Sequence, residues 1–323
     1  MCHHVAMTDA VVATGLQKRF GGVHAVRGIT VTVPKGARFG LIGQNGAGKT
    51  TFIKMVLGIT RHDEGTVTVL GGDPEDPAVR RRIGYLPERL AIPPSFSALS
   101  FLDSVARYKG LSPARRLSEC RDLLVQVGLE ESAWTRKTGG YSKGMRQRTG
   151  LAAALVGAPA LLILDEPTDG IDPVGRKQIR DVILDVARAG ATVFLNSHLL
   201  AETEKVCDHI AVLHQGQVVK SGPLSVLQRK DSFRVVFAAA VTDTATVERA
   251  QAYGFVVDHE HRDGDGDRLV TRFSGTDAAA LSRGLARALH DGLVVTELAP
   301  ELVELETILE AAMQPTPSRS EVA

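Results

Sequence analysis

The segment Gly43-Gln44-Asn45-Gly46-Ala47-Gly48-Lys49-Thr50 decides the fold of this chain. A glycine followed by four residues and then Gly-Lys-Thr is the spacing of a P-loop, which binds the phosphates of a nucleotide. Arg38–Ile42 before it has the pattern of a strand, and Thr51–Leu57 after it has that of a helix ending at Gly58. A strand, a glycine-rich loop and a helix in this order are the context that the motif requires. The alternative, a chance glycine-rich turn, does not explain these flanks.

This loop predicts contacts with ATP and Mg²⁺. Its glycines let successive backbone N–H groups approach the phosphates, and the following helix adds the positive end of its dipole. Lys49 is expected to reach the outer phosphates as a catalytic cation, and Thr50 is expected to bind Mg²⁺. Thr51 is expected to contact the nucleotide beside them. The sequence therefore predicts a nucleotide site on residues 43–51.

Composition limits what else the chain can be. Its 323 residues suggest about two domains, and a net charge of +1 gives no field that would attract nucleic acid or an anionic membrane. The three cysteines, Cys2, Cys120 and Cys207, form no disulfide or zinc pattern, which favours a reducing cytosol. The longest apolar run, 151–164, is broken by Gly157 and Pro159 and is shorter than the roughly 20 residues of a membrane span. Any membrane role is expected to come through a partner.

Short β-rich runs alternate with helical stretches over residues 8–230, which predicts an α/β domain. The strand signal disappears over about 89–157, where three helical stretches predict a helical insert. Early strands with short connections predict an antiparallel β subdomain, and the apolar runs Leu161–Leu164 and Thr192–Leu195 predict central parallel strands.

The pattern changes after Lys230. Residues 231–313 are predicted to form a small α+β accessory module in the order βαββαβ, which is ferredoxin-like, followed by a helix from about Glu301 to Met313. The aspartate-rich run 263–267 is predicted to be a turn, because an EF-hand loop would need Gly at 268 and Glu at 274. The tail 314–323 is predicted to be disordered.

A second motif follows one of the apolar strands. Leu161–Leu164 delivers Asp165 at its carboxyl end, where the carboxylate can hold Mg²⁺ beside the P-loop. Glu166 follows directly and is placed to accept a proton from an attacking water, the general-base role. The alternative without a catalytic role is that Asp165 and Glu166 are simply the first residues of a solvent-exposed loop. Behind a P-loop, the catalytic interpretation is favoured.

From Val11 to about Arg229 the chain resembles the ATP-binding subunit of an ABC transporter. The P-loop and the Leu161–Glu166 strand match the family in order and spacing. Five further segments match it: Phe20 as the aromatic residue that stacks on adenine, Ile83–Glu88 as the Q-loop, Tyr141–Met145 as the signature, Gly170–Pro173 as the D-loop, and His198 as the switch histidine.

The resemblance implies a mechanism. Similar subunits dimerise head to tail and bury two ATP molecules, so that each P-loop faces the signature of the other copy. Ser142 and Gly144 would then meet the other copy's ATP, with Ser142 at a helix N-terminus near the γ-phosphate. Asp172 would cross the interface, and Glu166 with His198 would orient the attacking water.

Two segments depart from the family's usual sequence. The signature has Lys143 in place of a glycine and Met145 in place of glutamine. The Q-loop has Glu88 where glutamine is usual, and Glu88 is a weaker candidate than Thr50 for contact with Mg²⁺ or its waters. Both variants, with the C-terminal extension, resemble the subgroup that serves separately encoded export permeases.

The predicted partners are a transmembrane permease and a second ATP-binding subunit, with a homodimer favoured and no nucleic acid. The predicted location is cytoplasmic, peripheral on the cytoplasmic face of the membrane, with contact through the permease alone. The alternative function is a soluble ABC-type ATPase acting on ribosomes or nucleic acid. Against it stand the single P-loop, the short gap between Thr50 and Ser142, and the lack of a basic, aromatic-interleaved patch.

Overall fold

The computed structural model describes residues 9–238, 244–257, 268–275 and 277–313. These residues divide into two compact units, one of residues 9–224 with 309–313 and one within residues 225–308. The predicted domain limits of 8–230 and 231–313, with the insert at 89–157, remain a prediction. The predicted tail 314–323 and the predicted turn 263–267 lie outside the described residues.

The first unit alternates strands and helices as the sequence pattern predicts. In chain order its elements are β1 (Val11–Phe20), β2 (Val23–Val33), β3 (Arg38–Ile42), α1 (Lys49–Val56), β4 (Glu64–Val69), α2 (Pro77–Arg80), β5 (Ile83–Leu86), α3 (Ala98–Tyr108), α4 (Pro113–Gln126), α5 (Lys143–Leu155), β6 (Leu161–Asp165), α6 (Pro173–Arg188), β7 (Thr192–Asn196), α7 (Leu200–Val206), β8 (His209–His214) and β9 (Gln217–Pro223).

Two sheets build this unit. One has six strands in the order β5-β6-β7-β3-β8-β9, parallel except for the β8–β9 pair, and the other is the antiparallel β2-β1-β4. Every residue of β6 and β7 is buried, as expected for parallel strands covered on both faces. Because β3, β6 and β7 are parallel neighbours, their carboxyl ends meet at one edge of the sheet.

The predicted helical insert contains α3, α4 and α5. Helix α3 begins with a capping box between Ser97 and Ser100, and α4 begins with Pro113 after Ser112, so both starts follow ordinary helix rules. Helix α5 begins after Ser142, whose hydroxyl accepts a hydrogen bond from the Met145 N–H at 3.2 Å. Among the described residues, no helix combines the length and apolarity that crossing a membrane requires.

After the short helix α8 (Leu224–Leu227), the second unit follows the predicted βαββαβ order. Its elements are β10 (Arg229–Phe237), α9 (Thr244–Ala252), β11 (Phe255–Val257), β12 (Leu269–Ser274), α10 (Ala278–His290) and β13 (Val295–Leu302). The antiparallel sheet has the order β11-β12-β10-β13, which confirms the ferredoxin-like arrangement. Phe237, Phe255 and Phe273 pack in its core, with neighbouring ring centroids 5.3 and 5.8 Å apart.

The predicted start of the last helix at about Glu301 is wrong. Helix α11 spans Leu305–Met313, and Glu301 belongs to β13. The Glu301 carboxylate accepts hydrogen bonds from the Arg272 guanidinium at 2.8 Å and from the Ser232 hydroxyl, so it is held against the neighbouring strands. Such cross-strand partners are distant in sequence and leave no mark on local periodicity.

Candidate functional site

The P-loop lies between β3 and α1, and two of its three glycines, Gly43 and Gly48, are required by close backbone contacts. A Cβ on Gly43 would lie 2.2 Å from the Leu213 carbonyl oxygen. Gly48, with φ of 104°, caps α1, and a Cβ there would lie 2.5 Å from the Ala25 carbonyl oxygen. Neither position has room for a side chain, so the loop backbone is held by its neighbours as the motif predicts.

Lys49 folds back onto the loop that precedes it. Its ammonium donates hydrogen bonds to the carbonyl oxygens of Gly43 at 2.6 Å and Gln44 at 3.0 Å. Burial lowers the pKa of Lys49, and the carboxylates of Glu166, Asp165 and Glu88 oppose that shift. A buried ammonium held by two neutral carbonyl oxygens is a favourable place for phosphate oxygens, whose negative charge would neutralise it directly.

Asp165 ends β6 and is only 1% exposed. The neighbouring strand β7 ends with Asn196, which is 3% exposed and whose amide donates a hydrogen bond to the Asp165 carboxylate at 2.5 Å. Burial raises the pKa of Asp165, and the Asn196 hydrogen bond lowers it. Sequence reasoning missed Asn196. Its position at the carboxyl end of a strand beside β6 was the signal that could have found it.

Glu166 has φ of 52°, a left-handed conformation that costs a non-glycine residue about 1–2 kcal/mol. Its backbone is held by hydrogen bonds: Glu166 N–H donates to the Asn196 carbonyl at 2.8 Å, and the Gln147 amide donates to the Glu166 carbonyl at 3.1 Å. The two adjacent carboxylates have different partners, Asn196 for Asp165 and His198 for Glu166. Gln147 was not predicted, because nothing in its local sequence marks the contact.

The Glu166 carboxylate contacts His198, as the resemblance implies. One oxygen accepts a hydrogen bond from the His198 backbone N–H at 2.9 Å, and the other lies 2.8 Å from His198 Nδ1. Burial raises the pKa of Glu166, and the neighbouring His198 lowers it. The pair is thus a carboxylate and an imidazole in direct contact at the end of the central strands.

Lys49, Glu166, Asn196 and His198 line one cleft of about 650 Å³, and the buried Asp165 lies behind it, bonded to Asn196. The predicted residues among its lining are Asn45, Gly46, Gly48, Lys49, Thr50, Thr51, Glu88, Glu166 and His198. Asp169 and Asn196 also line it and were not predicted as site residues. The remaining P-loop residues, Gly43, Gln44 and Ala47, lie outside the lining, although two of them hold Lys49. The structure therefore brings the P-loop, the Q-loop acid and the Glu166–His198 pair together.

Besides these three P-loop residues, five predicted residues lie outside this lining: Phe20, Ser142, Gly144, Asp165 and Asp172. Phe20 ends β1 and is 51% exposed, with the Lys18 ammonium 5.4 Å from its ring centroid. Ser142 caps α5, and Asp172 caps α6 by accepting a hydrogen bond from Gly175 N–H at 2.8 Å, which lowers the pKa of Asp172. A single copy of the chain does not add its own signature to its own cleft.

The fold and the cleft define a P-loop nucleotide-binding protein with an inserted helical segment. The family described as ABC transporter matches residues 26–169. An ABC transporter ATP-binding protein of Synechocystis sp., not itself characterised, is 35% identical over 85% of this chain and 79% of its own length. The Nod factor export ATP-binding protein I of Burkholderia lata is 37% identical over 64% of this chain and 68% of its own length.

A solved ATP-binding subunit of an ABC transporter is also similar, at 29% identity and a TM-score of 0.64, covering 68% of this chain and 91% of that one. The chain belongs to the ABC transporter ATP-binding proteins. It is therefore an ATP-binding and hydrolysing subunit that energises transport. The relatives are named for transport and export, so the alternative of a ribosomal or nucleic-acid ATPase is not favoured.

Proposed function

We propose that two copies of this chain assemble on the cytoplasmic face of a separate transmembrane permease and drive export by ATP hydrolysis. The observation that carries the proposal is the divided site. The cleft holds the P-loop, Glu88 and the Glu166–His198 pair, whereas Ser142 caps α5 outside it. A second copy related by two-fold symmetry would supply its Ser142 to this cleft and receive this one in return. The relative named for export supports the direction of transport.

ATP would be bound by groups of three kinds. The exposed ring of Phe20 is available to stack on adenine. Backbone N–H groups of the P-loop and the Lys49 ammonium would hold the phosphates. In the dimer, Ser142 and Gly144 of the second copy would face the γ-phosphate at the start of α5, and Asp172 would meet the other subunit across the interface.

The acids and hydroxyls of the cleft fit Mg²⁺, which prefers oxygen ligands and usually takes only one or two protein carboxylates along with phosphates. Thr50 and Asp165 would hold the ion, and Glu88 is a third candidate. Among the described residues no group of three or more His, Cys, Asp or Glu side chains is placed to hold a metal. When bound, Mg²⁺ would neutralise charge that develops on the phosphates.

Glu166 would act as the general base for the attacking water. Its raised pKa makes the carboxylate a stronger base than an ordinary glutamate, while His198 holds the side chain at the end of the central strands. Replacing the carboxylate with an amide in Glu166→Gln is expected to reduce hydrolysis by about 10²–10⁴-fold while retaining ATP binding.

The permease is expected to dock in a groove of the helical insert. This groove, of about 200 Å³, lies where β5, α3 and α5 meet, and its lining includes Tyr85, Phe101 and Tyr108. Tyr108 is 64% exposed, so its ring is available to a partner that docks in the groove. Because β5 leads directly to Glu88, a movement of β5 in the groove would also move Glu88 in the cleft.

Purification of the tagged chain from detergent-solubilised membranes tests this assembly. We expect an integral membrane protein with several spans to accompany the wild type. Tyr108→Glu is expected to lose that protein and keep ATP binding, because the charge lies in the groove and not in the cleft. Leu117→Glu is the matched control, since Leu117 is also an exposed apolar residue of the insert but does not line the groove. Co-purification with ribosomes alone would contradict the proposal.

A further inference from the structure

Lys143 stands in the signature at the position where the resemblance expects a glycine, next to the cap residue Ser142. Its ammonium lies 2.7 Å from a carboxylate oxygen of Asp169, which follows the Asp165–Glu166 pair by a few residues. The Lys143 hydrogen bond is the main cause of the lowered pKa of Asp169. The signature helix is thus tied to the loop after β6 within one subunit.

Gly170 makes this tie possible. A Cβ on Gly170 would lie 2.4 Å from Lys143 Cδ, 2.7 Å from Cε and 2.8 Å from Nζ, so the lysine chain passes directly over the glycine. Gly170 also has φ of 69°, a conformation that favours glycine. The lysine therefore crosses the start of the D-loop at a residue whose backbone conformation and close contact both favour glycine.

Asp169 belongs to the wall of the nucleotide cleft. Lys143 consequently connects the signature, which in the proposed dimer faces the other copy's ATP, with the cleft of its own subunit. Both side chains are half exposed, 58% for Lys143 and 44% for Asp169. Exposed pairs of this kind change an equilibrium by about fivefold or less, so the tie can be exchanged for a stronger partner.

A triphosphate is such a partner. A lysine has three donors on a flexible stem, and hydrogen bonds between an ammonium and phosphate oxygens are among the strong ones. Lys143 is the first residue of α5, so its charge adds to the positive end of the helix dipole at the place where the other copy's γ-phosphate is expected. The γ-phosphate carries more negative charge than the single carboxylate of Asp169, so it should bind the Lys143 ammonium more strongly.

We propose that Lys143 is an exchangeable cation: it pairs with Asp169 in its own subunit before the dimer closes, and it binds the γ-phosphate held by the second copy's P-loop afterwards. This inference rests on the proposed ATP-bound dimer. In this proposal Lys143 favours closure of the dimer and Asp169 opposes it, because Asp169 holds the cation that the closed dimer requires.

Dimer formation by Glu166→Gln protein, followed by sedimentation velocity as Mg-ATP is titrated, tests the exchange. Adding Asp169→Asn is expected to lower the ATP concentration for half-maximal dimerisation by about two- to fivefold, since no carboxylate then competes for Lys143. Adding Lys143→Met is expected to raise it by at least about tenfold, and Lys143→Arg should restore most of the loss. ATP binding by the monomer should be unchanged in Lys143→Met, which shows that the variant is folded.

Opposite shifts in the two variants support the exchange. Shifts in the same direction would mean that the ion pair only braces the fold and would overturn it, as would unchanged dimerisation in Lys143→Met. A Glu166→Gln parent that stays monomeric at saturating ATP would overturn the dimer itself, and the exchange with it. These outcomes separate failure of the inference from failure of the proposed function.

Discussion

The hydrogen bond between Asn196 and Asp165 gives the most quantitative prediction for this site. Asn196→Ala removes the amide that donates to a buried carboxylate at 2.5 Å and leaves the Asp165 carboxylate without that donor. Hydrogen bonds to charged groups contribute about 1.5–3 kcal/mol, and loss of a donor exposes the full desolvation cost of the buried acceptor. Because both side chains are almost wholly buried, we expect the free energy of unfolding to fall by about 2–3 kcal/mol.

Urea unfolding followed by the fluorescence of Trp134 measures this change. Trp134 is the single tryptophan, is buried, and belongs to the same unit as Asn196. Asn45→Ala is the matched control, because Asn45 is exposed and its loss should change the free energy of unfolding by less than about 0.5 kcal/mol.

A double-mutant cycle isolates the pair. In an Asp165→Asn background the buried charge is absent, so the cost of Asn196→Ala should fall by about 1.5 kcal/mol or more. A loss below about 0.5 kcal/mol for Asn196→Ala alone would refute the reasoning. An equal loss in both backgrounds would do the same, because the effect would then come from packing and not from the carboxylate.

Two further predictions concern the helical insert and the strand β5 that packs against it. Gly84→Ala should lower the free energy of unfolding by about 1–3 kcal/mol, because its Cβ would lie 2.1 Å from the Ala154 carbonyl oxygen. Gly140→Ala is the control, since the space around Gly140 is open and the change should be nearly neutral in the same urea assay. Equal effects of the two substitutions would contradict the packing argument. Lys109 donates to the Val156 carbonyl at 2.6 Å, and burial lowers its pKa from 10.5 to about 8. Between about pH 8 and pH 10.5 the Lys109 amine is protonated in the unfolded chain but not in the folded one. The free energy of unfolding of the wild type, relative to Lys109→Met, should therefore rise with pH in this range by at most about 1.4 kcal/mol per pH unit. A difference that does not change with pH would contradict the lowered pKa.

The motifs of the site were predictable because their spacing is local. The P-loop, the apolar strand before Asp165 and the strand before His198 each carry their signal within about ten residues. Parallel strands bring their carboxyl ends to one edge of the sheet by a general rule, and this rule agrees with the proximity of Glu166 and His198 that the resemblance implies.

Contacts between distant segments were not predictable. The Asn196–Asp165 hydrogen bond depends on the register of β6 against β7, and the Lys143–Asp169 pair depends on the path of a side chain over Gly170. The left-handed backbone of Glu166 depends on Gln147 and Asn196, which hold it from other elements. Each of these features depends on packing between distant segments, which single-residue propensities and local patterns do not predict.

The central claim is that one chain holds half of two sites, and mixing two inactive variants tests it most directly. Lys49→Ala damages the P-loop and Ser142→Ala damages the signature, so each alone should be close to inactive. A mixed dimer has one site with an intact P-loop and an intact signature, because the two defects fall in the other site. The mixture should recover up to about a quarter of wild-type ATPase activity if dimers form at random. Activity equal to the average of the two variants would contradict a site shared between copies.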